Sequence, residues 1–189
     1  MVDTTPLDCP VIAQAAWPRV EDSKLARFLR HWALARAGAA VPRRSAIDPG
    51  AIVPCLPYVY LYRYDPHTGD FTCSLAGEEI NRAWGSSIIG KRQRDFMPPD
   101  IAAVLQVRFR TIIDTPAVLL TGFRGGTPLA GPRFVRRIIG PLAHDDGMPY
   151  GVFGISVYVN DPIGDVPAPV GPTVDAAFYD CKALPPTPP

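Results

Sequence analysis

Tyr58–Gly90 reads YVYLYRYDPHTGDFTCSLAGEEINRAWGSSIIG, and its punctuation decides the fold. Tyr58–Tyr64 is dense in aromatic and β-branched residues, which suit a pleated, half-buried surface. Asp65-Pro-His-Thr-Gly69 supplies turn chemistry, and Asp70–Ala76 then alternates Phe71, Cys73 and Leu75 with Thr72 and Ser74. Two such runs on so short a link predict an antiparallel hairpin. Gly77 releases the chain into Glu78–Trp84, a short helix whose acids sit in the first turn, where the helix dipole favours them. Gly85 and Gly90 mark two further turns around Ser86-Ser-Ile-Ile. Side chains alternate along a strand, so Tyr58, Tyr60, Tyr62 and Tyr64 share a face. Such a line can stack bases or a flavin. The expectation is instead a sheet face covered by the helix that carries Trp32.

That helix lies upstream, over residues 22–37. Asp22 or Ser23 can cap it, Leu25, Phe28, Leu29 and Trp32 recur at helical spacing, and Gly38 marks its stop. Its basic face carries Lys24, Arg27, Arg30 and Arg36. The apolar stripe is expected either to bury against its own domain or to form a dimer or partner surface. Prolines 42, 49, 54 and 57 hold the following link extended, with at most a helical turn over Ala51–Cys55.

Downstream, Asp100 is expected to cap a helix running to about Asp114. Ile101, Val104, Leu105, Phe109, Ile112 and Ile113 form its apolar face, with Arg108 intruding. Thr115-Pro116 ends it. Three more strands are predicted over 117–124, 133–142 and 150–159. Gly151 and Gly154 on the last suggest close backbone approach.

Composition sets the outer limits. A chain of 189 residues with 47% hydrophobic and 20% charged content is an ordinary single domain with tails. A net charge of +1 gives no global attraction to nucleic acid or to an anionic membrane, and no apolar run reaches a membrane span. Of the 23 prolines, eight fall within 161–189. The domains are read as a flexible arm at 1–20, a folded unit at 21–160 and a Pro-rich, mostly disordered tail at 161–189, with Ala176–Tyr179 its one docking point. Met1 is followed by VDTTPLD, with neither a basic start nor an apolar stretch, so the expectation is a cytoplasmic protein. Cys9, Cys55, Cys73 and Cys181 are widely spaced and are read as reduced thiols; no metal site is expected.

A helix, a hairpin, more helices and a three-strand meander make an α+β domain. The expected form is a five-stranded antiparallel sheet with helices on one face and the N-terminal amphipathic helix on the other. This layout resembles a PAS domain. The residues resemble a short single-domain bacterial subtype, mostly α-proteobacterial, in Trp32, Pro42-Arg43, Ile47-Asp48-Pro49 and Leu56-Pro57. The likeness continues through Leu75-Ala76-Gly77, Ile80, Trp84-Gly85, Ile89-Gly90-Lys91 and Gly140-Pro141-Leu142 to Asp145-Asp146-Gly147, covering about residues 25–160. It implies a sensory or interaction module, a regulatory protein in signal transduction. A haem-binding PAS domain would usually offer a histidine on the long helix, and residues 100–114 contain none. A flavin photosensor would carry a cysteine in the region of Asn81–Trp84, where there is none. No haem or flavin is therefore expected, and an unidentified small ligand is.

Conventional catalytic signatures are missing: no G-x-S-x-G, no Walker loop, no H-E-x-x-H. No catalytic residue is assigned, and an enzyme of cone-like α+β fold would need a pocket carboxylate with a His or Tyr partner. Arg136-Arg137 must send one guanidinium inward, toward Glu78, Asp95 or an anionic ligand. The expected ligand-binding set is Trp84, Phe96, Met97, Phe109, Ile113 and Arg137, aromatic, adaptable or charged residues on elements that flank a cavity. The alternative is a ligand-free dimerisation or scaffold protein acting through Leu25, Phe28, Leu29 and Trp32. A protein partner or homodimer is expected, and no nucleic acid.

Overall fold

Asp22 begins the first helix by accepting the N–H groups of Lys24 (2.8 Å) and Leu25 (3.0 Å). This helix, α1 (Ser23–Ala35), ends where Ala37 and Gly38 turn to positive φ. The computed structural model describes residues 11–12, 16–127, 130–160 and 175–188. The remaining elements are β1 (Val11–Ile12), β2 (Val59–Tyr64), β3 (Phe71–Ala76), α2 (Glu78–Trp84), α3 (Pro99–Asp114), β4 (Ala117–Thr127), β5 (Ala130–Ala143), β6 (Pro149–Asn160) and β7 (Asp175–Asp180). A 3₁₀ stretch, Pro49–Tyr58, leads into β2. Its first turn is fixed by the Asp48 carboxylate, which accepts from the Gly50 N–H at 2.8 Å. α3 begins at Pro99, so Asp100 lies inside its first turn rather than capping it. Proline suits that position because the missing N–H would have had no helical partner.

The strands form one sheet in the order β1-β7-β4-β5-β6-β2-β3. The five expected strands are β2 to β6, all joined antiparallel. β7 adds antiparallel to β4, and β1 pairs parallel with β7. These two strands fall in the segments read as arm and tail. β1 lies in the expected arm, and β7 covers Ala176–Tyr179, the one docking point expected in the tail, where the open edge of β4 offers Asp175–Asp180 a full ladder of backbone partners. The rest of the expected tail, 161–174, lies outside the described residues.

α1 lies on one face. Leu25, Phe28, Leu29 and Trp32 are all 0–2% exposed and pack on the inward side chains of Val59, Leu61, Phe153 and Ile155. They therefore bury within their own domain and do not present a free dimer or partner surface. Phe28 and Phe153 meet at 4.8 Å. Trp32 lies directly over Gly140, where a Cβ would come within 2.7 Å of the indole, and donates its Nε1–H to the Pro141 carbonyl at 3.1 Å. Side chains of this size each contribute roughly 1.5–3 kcal/mol when fully buried.

The opposite face carries α2 and α3. Tyr60, Tyr62, Phe71, Phe109, Ile112 and Ile139 form its core. The tyrosine line thus points away from α1, contrary to expectation. Val59 and Leu61, the alternate residues of the same strand, receive the Trp32 helix instead. Tyr58 ends the 3₁₀ stretch, outside the strand register, and lies beneath the Lys24 ammonium at 5.2 Å.

One buried cation ties the chain's two ends together. Arg36 donates to the carbonyls of Ala39 (2.9 Å), Cys181 (3.1 Å), Leu184 (3.3 Å) and Pro185 (3.3 Å). Its guanidinium also lies against the rings of Trp17 and Trp32 at 5.7 and 5.9 Å. Trp17 donates its own indole N–H to the Pro185 carbonyl at 3.2 Å. Backbone dipoles and π faces here solvate a charge that would otherwise be costly to bury.

Candidate functional site

Between the sheet and the α2–α3 layer lies a cavity of about 30 Å³. The sheet supplies Tyr60 and Tyr62 from β2, Arg137 from β5, and Ser156 and Tyr158 from β6. Ile80 and Trp84 come from α2, Ile88, Gln93 and Met97 from the link that follows, and Leu105 and Phe109 from α3. A volume of this size holds about two water molecules. Tyr60 lies flat across β6 because Gly154 has no side chain there; a Cβ would fall 2.5 Å from the phenol ring.

The polar part of the site follows from strand register. Arg137 pairs with Thr121 on one side and Ser156 on the other, so three polar side chains occupy one row across the inner sheet face. The Arg137 Nε–H donates to Ser156 Oγ at 2.9 Å. Arg136, one residue away, points outward, its guanidinium 5.5 Å from the Phe134 ring. Of the carboxylates considered for Arg137, Glu78 pairs with Arg82 at 2.7 Å and Asp95 accepts from the Arg92 N–H at 2.7 Å.

Burial holds both phenols protonated. Tyr60 is pushed up to about 12, chiefly by desolvation, while the Arg137 charge and a hydrogen bond with Ser156 pull the other way. Tyr62 is raised further, by desolvation and by its neighbours Cys73 and Tyr60. Cys73 is pushed up to about 11 by burial and donates its thiol to the Leu75 carbonyl. At neutral pH these are donors and apolar surface, not nucleophiles. None of the lining residues is Asp, Glu, His or Cys.

The link from α2 to α3 is held in place at several points. Gly90 N–H donates to the Cys73 carbonyl (2.7 Å), Cys73 N–H to the Lys91 carbonyl (2.9 Å), and Ile88 N–H to Asn81 Oδ1 (3.1 Å). Asp70 accepts both guanidinium nitrogens of Arg94 (2.8 and 2.9 Å) and pairs with Arg92 (3.0 Å). Gln93, between those arginines, projects inward and is buried.

Of the six ligand-binding residues expected from sequence, Trp84, Met97, Phe109 and Arg137 line the cavity. Phe96 stands behind Trp84, with ring centroids 5.0 Å apart, and Ile113 is buried in the core that includes Phe109. Sequence reasoning missed Tyr60, Tyr62, Tyr158, Ser156 and Gln93. Tyr60 and Tyr62 carry a signal, their shared face of β2, but the expectation places them on the α1 side; Tyr158, on β6, is not singled out. Ser156 was visible as a lone hydroxyl in an apolar run. Gln93 had no sequence signal.

Among the described residues no group of His, Cys, Asp and Glu is arranged to hold a metal, and no helix is long and apolar enough to cross a membrane. Cys55, Cys73 and Cys181 are free and buried.

No curated protein matches the chain. Among solved structures, the Vibrio cholerae VqmA dimer is 16% identical with a TM-score of 0.48, over 56% of this chain and 49% of that one. The Rhodobacter sphaeroides LOV protein is 16% identical with a TM-score of 0.43, over 56% and 60%. A PAS domain from Colwellia psychrerythraea is 9% identical with a TM-score of 0.43, over 57% and 93%. The chain spans about half the length of the VqmA chain it is similar to. The family profile described as PAS domain matches residues 20–157. With the greater part of its length matched and the expected α+β architecture in place, the chain belongs to the PAS domain family.

Proposed function

We propose that the chain is a sensory or regulatory module whose cavity takes up a small molecule and whose surface passes that state to a protein partner. The observation that carries this reading is the cavity itself, an aromatic-walled space on which Tyr60, Gln93, Arg137, Ser156 and Tyr158 converge from four separate segments. Small-molecule sites combine apolar walls with a few convergent polar groups in this way. Trp84, Met97, Phe109 and Arg137 are the contact residues in this reading, with Phe96 and Ile113 supporting them. The lining offers neither an imidazole to ligate a haem nor a thiol to form a flavin photoadduct. A reducing, cytoplasmic setting fits the three buried free thiols. Native mass spectrometry and an absorbance spectrum of the purified chain test the reading. A non-covalent adduct lost on unfolding is the expected result. An adduct-free protein whose melting temperature no metabolite shifts overturns it.

A second reading is a ligand-free scaffold that dimerises. Two observations favour it: the cavity's small volume, and the exposed apolar side chains of Leu34 on α1 (54%) and Val53 on the 3₁₀ stretch (58%). A dimer in solution that is lost in Leu34→Glu/Val53→Glu, with no ligand found, would select this reading.

A further inference from the structure

We infer that the cavity is a receptor for a compact carboxylate, an acid anion carried on a small apolar or aromatic body. This rests on the ligand-sensing role proposed above and adds the chemistry of the ligand. Its starting point is Gln93, which is 3% exposed and lines the cavity. Its side-chain nitrogen has no hydrogen-bond partner among the described residues. A buried N–H without an acceptor is costly, and native structures keep few of them. The backbone around it is anchored, since Arg92 and Arg94 both bind Asp70 and the Arg92 N–H is bonded to Asp95. Relief by a swing of the loop would break those contacts. An acceptor brought from outside relieves it without breaking any.

The rest of the lining says what that acceptor is. Arg137 brings a positive charge, and the hydrogen-bonded Tyr60–Ser156 pair has one hydroxyl proton left to give. No lining residue carries a negative charge, and the Arg137 guanidinium disfavours a cationic guest and favours an anionic one. A carboxylate accepts at about four lone-pair positions and forms its strongest hydrogen bonds to charged donors. Two of its oxygens can serve the Gln93 amide and the donors on the sheet together. Trp84, Met97 and Phe109 then receive the apolar body. The space of about 30 Å³ accepts water as it stands, so a larger guest must displace side chains. Met97, flexible by nature, and Trp84 are only partly buried and are the members able to move.

The experiment titrates the purified full chain with benzoate, butanoate and the neutral isostere benzamide, read by calorimetry and by tryptophan emission. Benzoate is expected to bind at least tenfold more tightly than benzamide, about the worth of a hydrogen bond to a charged group. Gln93→Leu is expected to weaken benzoate at least tenfold while its ligand-free melting temperature stays level or rises. Should Gln93→Leu fail to fold, the isosteric Gln93→Glu serves, and its like charge should abolish benzoate binding. Equal affinity for benzoate and benzamide overturns the carboxylate assignment and leaves the ligand-sensing role standing. So does an adduct of another class found by native mass spectrometry. If no probe binds and Gln93→Leu simply stabilises, the cavity is a hydration site; with no adduct either, both readings fall.

Discussion

Tyr60 and Tyr62 place two phenols in apolar surroundings on the strand that opens the sheet. Tyr60 holds its proton up to about 12, against an ordinary value of 10.0, because burial penalises the phenolate. Tyr62 is shifted in the same direction and for the same main reason. The sign of the linkage follows. Above pH 10 the unfolded chain releases protons that the folded chain keeps, so this stabilisation is complete below pH 10 and is lost as pH climbs toward 12. A titration of absorbance at 295 nm should show at least three of the seven tyrosines, Tyr60, Tyr62 and Tyr179, lagging behind, since burial raises each of them. Tyr60→Phe should remove one lagging phenol and flatten the alkaline loss of stability. If all seven titrate together in the folded protein, the burial argument is wrong. Arg137 is a related case at this scale. Sequence alone required one of two adjacent arginines to turn inward but could not say which, because the choice depends on strand register.

Element by element, the hydrophobic periods of α1 and α3 were legible because each helix buries a single stripe, and the meander was legible as apolar runs that bury both faces. The hairpin over 59–76 was legible from its turn residues. The side of the sheet that each stripe faces was not, and β2 shows why. Val59 and Leu61 alternate with Tyr60, Tyr62 and Tyr64, both sets are apolar enough to be covered, and the period of two is silent about which helix covers which. Two glycines on adjacent strands settle it. Gly140 admits the Trp32 indole on the α1 side, and Gly154 admits the Tyr60 ring on the cavity side. Alanine at either position puts a Cβ within 2.7 Å of an aromatic ring. The costs should differ. Tyr60 has the neighbouring cavity to move into, whereas Trp32 is fully enclosed, so Gly140→Ala should cost about 2–3 kcal/mol and Gly154→Ala about 1 kcal/mol. Denaturant melts of the two variants check the order. Gly154→Ala should also fill the cavity and suppress any ligand-induced stabilisation, an effect Gly140→Ala should not share.

For the whole molecule, the sheet is closed on one side by β1, from the expected arm, and by β7, which contains the one docking point expected in the tail. A proline-rich stretch of mixed polarity cannot build a core of its own, but β7 needs none, because β4 supplies its hydrogen bonds and Phe178 enters a core already formed. Arg36 then fixes Cys181, Leu184 and Pro185 over Trp17 and Trp32. Arg36→Met takes this donor from the Cys181 and Leu184 carbonyls, while Pro185 keeps the Trp17 indole N–H, and should cost about 2–4 kcal/mol. For a chain of this size that is a drop in melting temperature of roughly 5–15 °C. Ending the chain at Asn160 should be worse, since the outer edge of β4 would be left unpaired and prone to association. Sedimentation of the shortened protein should show aggregates where the full chain gives a single species. A shortened chain that stays dispersed and melts like the parent would relegate β7 and the segment after it to decoration.

The placement of the indoles has a practical corollary. Trp17 and Trp32 stand edge to face at 6.5 Å beneath the Arg36 guanidinium, on one side of the sheet. Trp84 stands alone on the other, against Phe96. With three tryptophans in the chain, two report on the lock that joins its ends and one on the chamber between sheet and helices. Replacing Trp84 with Phe leaves an optical gauge of the lock. Replacing Trp17 and Trp32 leaves a gauge of the chamber. Intrinsic emission, with no added dye, therefore distinguishes a guest entering from the chain's ends coming apart.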